Sequence, residues 1–103
     1  MPHGRRGRQR GRRWIDQLPA TDCYMPRTDV GGPTGIVNIN LEELEAIRLV
    51  DLIDMTQEEA AFSMGISRKT LWRDLVSARK KVAQALVNGW RIEIAGGDYA
   101  LRQ

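Results

Sequence analysis

The side chains best placed to do chemistry in this sequence are cations. Arg68, Lys69, Arg73, Arg79, Lys80 and Lys81 share the stretch 68–81 with a single acid, Asp74. Guanidinium and ammonium groups so concentrated suit an anion, and at the start of a helix they match both the guanine O6/N7 edge and phosphate oxygens. Catalysis has no comparable material. His3 is the one histidine and Cys23 the one cysteine, so there is no base and nucleophile pair, no internal disulfide and no zinc ligand set. No enzymatic activity, metal or cofactor is expected.

The formal net charge of +3 conceals a segregation. Arg5, Arg6, Arg8, Arg10, Arg12 and Arg13 stand in the first thirteen residues without an acid, leaving ten cations against thirteen acids in the rest. Glu42, Glu43, Glu45, Asp51, Asp54, Glu58 and Glu59 then form an acidic block that contains only Arg48, before the basic stretch begins. One face is expected to be built for an anion.

These cations need elements to position them. Residues 1–13, MPHGRRGRQRGRR, hold no aliphatic run and read as a disordered basic arm. Pro19, Pro26, Pro33 and the Gly31–Gly32 pair punctuate 14–35, an irregular segment anchored by Trp14, Leu18, Tyr24 and Met25, with Cys23 semi-buried. Ile36 to Ile39 and Trp90 to Ile94 read as two short strands that pair within one chain or between two. Residues 36–103 form the folded domain.

Three helices follow from caps and periodicity. Asn40 with Glu43 makes a capping box for a helix to about Leu52, with Leu44, Ile47 and Leu49 as its apolar stripe. Thr56 with Glu59 opens a second helix that ends at Gly65. Ser67 caps a third, in which Leu71, Leu75, Val82 and Leu86 bury one face before Gly89 terminates it. Ala60 and Ala61, Gly65, and Ile66 with Leu71 occupy the positions that a helix-turn-helix requires: small residues for close approach, a glycine for the turn, and apolar pins for the second helix. An ordinary helical hairpin uses the same residues, but does not account for the charge segregation.

The third helix then offers Ser67, Arg68, Lys69, Trp72 and Arg73 to base edges in a major groove. Arg79, Lys80 and Lys81 lie deeper along it and suit phosphates, as do the Thr56 and Thr70 hydroxyls and, from the arm, Arg12 and Arg13. Trp72 also suits packing, and Tyr24, Trp90 and Tyr99 suit a core or an interface.

The stretch LEELEAIRLVDLIDMTQEEAAFSMGISRKTLWRDLVSARKKVAQALVNGWRIEIAGGDY resembles the prokaryotic family of uncharacterised, predicted DNA-binding proteins whose helix-turn-helix is similar to region four of sigma factors. LEAIRL, QEEAA, MGISR and the closing GGDY carry the likeness, which departs from the family at Leu71–Trp72 and over Ala20 to Gly35. The resemblance implies a mainly α fold of the sigma region four-like, winged-helix-like class, with a short two-stranded β element. It implies a cytoplasmic, sequence-specific regulator that binds double-stranded DNA. A homodimer is expected, because one short recognition helix gives limited affinity and discrimination. The competing function is a protein-interaction module that touches RNA polymerase through its acidic first helix; a third is RNA binding through the arm. No apolar run is long enough for a membrane span.

Overall fold

Asn40 shows how the first helix starts. Its side chain accepts the Glu43 N–H at 2.8 Å while the Glu43 carboxylate accepts the Asn40 N–H at 3.0 Å, so two otherwise orphaned donors are satisfied reciprocally. The structure, a computed structural model, describes residues 13–28 and 31–102; the expected arm, with Arg12, lies outside the described residues. Its elements are β1 (Arg13–Ile15), β2 (Cys23–Tyr24), β3 (Ile36–Ile39), α1 (Leu41–Ile47, continuing as a π-helical turn over Arg48–Leu52), α2 (Gln57–Met64), α3 (Arg68–Asn88), β4 (Arg91–Ile94) and β5 (Tyr99–Leu101).

Both remaining capping expectations hold. Thr56 accepts the Glu59 N–H at 3.1 Å, and Ser67 accepts the Thr70 N–H at 3.0 Å. Gly65 and Gly89 close α2 and α3 in the left-handed conformation. At Gly65, with φ of 71°, a side chain is disfavoured twice over, since an added Cβ would also meet the Trp14 indole at 3.2 Å.

The helices enclose one apolar cluster, in which Ala46 and Leu49 of α1 and its π-turn meet Ala60, Ala61 and Met64 of α2 and Leu71 and Leu75 of α3. Small alanines on α2 bring its axis close to α3. A second cluster joins Ile15, Leu41 and Ile94, with Tyr99 packed on it. Along α3 the buried residues are Leu71, Leu75, Ala78 and Ala85. The expected stripe is corrected at its far end: Val82 is half-buried and Leu86 is 75 % exposed. Beyond the Lys81 to Glu43 bond with α1, the buried residue of α3 is the small Ala85, beside Trp90 and Ile92.

The β structure is also more extensive than expected. β3 and β4 pair within the chain and in parallel, Ile36 opposite Arg91 through Ile39 opposite Ile94. A parallel pair demands a long crossover, here supplied by the three helices. The other edge of β4 is taken by β2, antiparallel, with Cys23 opposite Glu93. The proline-broken segment therefore does supply an edge partner, just two residues long. Further upstream, β1 pairs in parallel with β5, which takes Arg13 out of the expected arm and into the fold. The anchors assigned to 14–35 are corrected too: Trp14, Leu18, Tyr24 and Met25 are exposed, as is Cys23, and Ile15 is the buried residue. Trp90 packs instead on Gly35, where an added Cβ would lie 2.7 Å from the indole.

Candidate nucleic-acid interface

Helical periodicity decides what α3 shows to the outside. Leu71, Leu75 and Ala78 face the core, so Lys69, Arg73, Val76 and Lys80, at offsets of four, seven and eleven from the first, line the opposite side, and all are exposed. Arg68 and Trp72 flank that stripe, Trp72 at 46 % exposure. Gln57, the first residue of α2, joins Arg68, Lys69 and Trp72 around an open hollow at the start of α3. The sequence reading missed Gln57; its place directly after the Thr56 cap was the available signal.

The cations of this face are not equally committed. Arg68 makes one long ion pair with Glu58, at 3.7 Å between two exposed side chains, an interaction of little strength. Among the described residues, Lys69, Arg73 and Lys80 make no ion pair within 4.0 Å, although Arg73 is near enough to the neighbouring Asp74 to favour its charged form. From Arg68 to Lys80 the exposed face extends about 18 Å along the helix axis.

Three other predicted phosphate contacts are bonded to acids of the same chain, Arg79 at the surface and Lys81 and Arg13 partly buried. The Arg79 guanidinium grips Asp51 with two bonds of 2.7 and 3.1 Å and holds that carboxyl below its ordinary pKa. Lys81 donates to both oxygens of Glu43, at 2.9 and 3.0 Å. Arg13 stands between α1 and α3, its guanidinium 3.4 Å from Glu42 and 3.3 Å from Asp74. These positions turn sideways or inward from the exposed stripe, and the acidic block of α1 receives them. Burial raises the Asp74 pKa, and Arg13 opposes that rise.

The acids expected to offer a protein-contact surface are likewise internal. Glu42, Glu43 and Glu45 are buried. Glu42 accepts the Asp98 N–H, Glu43 accepts the Ser77 hydroxyl, and Glu45 takes both the Asp16 N–H and the Arg48 guanidinium. The hydroxyls of Thr56, Ser67 and Thr70 serve the helix starts, Ser67 also donating to Thr70. They sit beside the cationic face with their cap bonds already made.

Among the described residues no group of three or more His, Cys, Asp or Glu side chains is arranged to hold a metal, and no helix is long and apolar enough to cross a membrane.

Comparison with known proteins gives relatives of high identity. A UPF0251 protein of Methanocella arvoryzae is 54 % identical over 88 residues, which make up 85 % of this chain and 53 % of that protein. One from Methanosarcina acetivorans is also 54 % identical, over 85 % of this chain and 52 % of the relative, and a second from that organism is 47 % identical over 91 % of this chain and 84 % of its own length. The chain thus spans about half the length of the first two relatives and most of the third. No solved structure matches it. Residues 1–102 match the family described as protein of unknown function DUF134, and with these relatives the match shows that the chain belongs to that family.

Proposed function

We propose that this protein is a sequence-specific duplex DNA-binding regulator in which α2, the Gly65 turn and α3 act as a helix-turn-helix of the sigma region four-like, winged-helix-like class. The observation that carries the proposal is the division of α3. Its inner face is pinned by Leu71 and Leu75, while Arg68, Lys69, Trp72 and Arg73 stand exposed at its start with Gln57 alongside. In a helix-turn-helix the N-terminal residues of the second helix enter the major groove, and a bidentate arginine discriminates one base by about 1–3 kcal/mol. Lys80, on the same stripe, reaches the phosphate backbone and adds affinity without sequence preference.

The regulator acts as a homodimer. Tyr24, Met25, Leu86 and Trp90 line an apolar hollow at the far end of α3, with Val87 exposed beside Leu86. An uncharged patch is compatible with its own copy across a two-fold axis, and two recognition helices then meet half-sites about 34–36 Å apart. The reading as a contact module for RNA polymerase through the first helix has less support, since its acids are bonded inside the fold.

Selection from a random duplex pool tests the reading directly. The expected outcome is an enriched site with two-fold symmetry, bound with an affinity that falls steeply as salt rises. Recovery of no preferred sequence, or equal binding at low and high salt, overturns it.

A further inference from the structure

The turn between α2 and α3 carries a second layer. The Trp14 indole, at the centre of β1, lies against Gly65, so closely that a Cβ there would stand 3.2 Å from its ring. Over that ring, 5.5 Å from its centre, is the guanidinium of Arg102, just after β5. The same guanidinium donates to the Ser63 carbonyl in the last turn of α2 and pairs with Asp16 at 3.1 Å. Asp16 in turn holds Arg48 at 3.2 Å, and its N–H is accepted by Glu45 of α1 at 3.0 Å. The Arg102 N–H reaches the Ile15 carbonyl at 2.7 Å, locking β5 beside β1.

None of these groups lies on the exposed stripe of α3, yet together they tie the end of α2 and the turn to α1 through the paired strands. Met64 and Leu71 already hold the two helices together from inside. The Trp14 and Arg102 pair holds the joint from outside: the Gly65 and Ile66 N–H groups close the helix end on the Phe62 and Ala61 carbonyls, and the Arg102 guanidinium donates to the Ser63 carbonyl between Phe62 and Met64.

Resting on the reading of α3 as a recognition helix, we infer that Arg102, acting through Trp14 and the Ser63 carbonyl, is a positioning residue that fixes the α2–α3 turn and thereby the angle at which Arg68 and Arg73 meet a base pair. A bidentate contact tolerates little rotation, whereas a phosphate contact tolerates more. Loss of the clip therefore erodes discrimination before it erodes affinity for arbitrary DNA.

The test uses the whole chain with Arg102→Ala and Arg102→Lys, and reads amide hydrogen exchange at 64–67 in the free protein together with affinity for a selected duplex and a random one. Arg102→Ala is expected to speed exchange at the turn at least tenfold while the centre of α3 is unchanged. It is also expected to cut the selected-to-random affinity ratio at least fivefold at constant salt slope. Arg102→Lys, which keeps a cation over Trp14 and beside Asp16, restores most of both. Exchange at 64–67 no faster than in the wild type overturns the clip, and faster exchange with an undiminished ratio overturns its role in recognition. A wild-type protein that selects no site removes the recognition reading itself, an outcome distinct from either because the exchange measurement needs no DNA. If the alanine variant does not fold, Arg102→Gln is read by the same criteria.

Discussion

Lys80 and Lys81 are neighbours in sequence, yet Lys80 stands exposed without an ion pair and Lys81 is bonded to the buried Glu43, and alanine at each separates the proposed DNA contact from the structural one. Lys81 donates to both oxygens of Glu43, whose side chain is only 6 % exposed. Removing it leaves a buried carboxylate with the Ser77 hydroxyl and the Asn40 N–H as donors. Breaking a fully buried pair costs about 3–5 kcal/mol. Because Lys81 itself is 32 % exposed, water recovers part of that, and a loss of about 1–3 kcal/mol is expected. For a domain of this size each kcal/mol moves Tm by about 4–8 °C, so thermal unfolding of Lys81→Ala should begin well below that of the wild type. Lys80→Ala, on an exposed stripe, should stay within about 0.5 kcal/mol of the wild type.

In DNA binding the order reverses. Lys80→Ala should lower the slope of log affinity against log salt by about one, the signature of one lost phosphate contact, whereas Lys81→Ala should leave the slope unchanged. The stability deficit of Lys81→Ala also has a pH signature. Burial pushes the Glu43 carboxyl up, but bonds from Ser77, Lys81 and Asn40 outweigh it and hold the pKa below its ordinary value. A carboxyl depressed in the folded state contributes stability above its unfolded pKa, about 4.3, and loses it as pH falls through the folded value. The gap between wild type and Lys81→Ala should therefore be full at neutral pH and close in acid. A Lys81→Ala protein with wild-type Tm and a reduced salt slope would refute the reasoning.

Arg68→Ala and Arg73→Ala should each weaken binding to a selected site by about 1–3 kcal/mol more than binding to random duplex; an equal loss on both, measured by titration, demotes that residue to a phosphate contact. Gly65→Ala should destabilise the fold by about 1–2 kcal/mol for the left-handed conformation alone, more if Trp14 cannot move aside, and a denaturation midpoint at the wild-type value would show that the turn relaxes freely. If the proposed homodimer forms, the wild type should sediment as a dimer at micromolar concentration and Leu86→Glu as a monomer of unchanged stability, because the side chain is 75 % exposed; a monomeric wild type refutes the dimer. Trp90 is unsuited to that purpose, since its ring packs on Gly35 and a charge there damages the fold.

Local signals in the sequence led to correct local structure. The capping pairs Asn40 with Glu43 and Thr56 with Glu59, the Ser67 cap and the terminal glycines Gly65 and Gly89 all act as their types and spacing imply, because a cap is decided within four residues. Pairings over longer range were not legible in the same way. β2 is two residues among prolines and glycines, and β1 consists of Arg13, Trp14 and Ile15 at the edge of an arginine-rich run. Neither has the length or alternation that marks a strand, and each exists because a distant strand, β4 or β5, supplies its partner. The anchors of 14–35 were misplaced for a related reason. Size and hydropathy favour Trp14, Tyr24 and Met25, but in β1, paired with β5, it is Ile15 that joins Leu41 and Ile94 in the buried cluster while Trp14 lies on the exposed side.

The charge pattern is where sequence and structure together sharpen the functional argument. An acidic block followed by a basic run does not by itself point outward, since α1 and α3 pack on each other and oppositely charged neighbours on packed helices neutralise one another. That is what happens to Arg79 with Asp51 and Lys81 with Glu43. Segregation therefore carries less weight for DNA binding than its appearance suggests, and the weight moves to the cations the acids do not claim. Lys69, Arg73 and Lys80 share one exposed stripe, and Arg68 is held only by a 3.7 Å pair between exposed side chains. Arg68, Lys69 and Arg73 cluster at the start of α3 with no more than one long ion pair among them, whereas further along Arg79 and Lys81 are bonded to acids and Lys80 alone is left, so the proposed attraction for an anion is strongest where a recognition helix meets base edges.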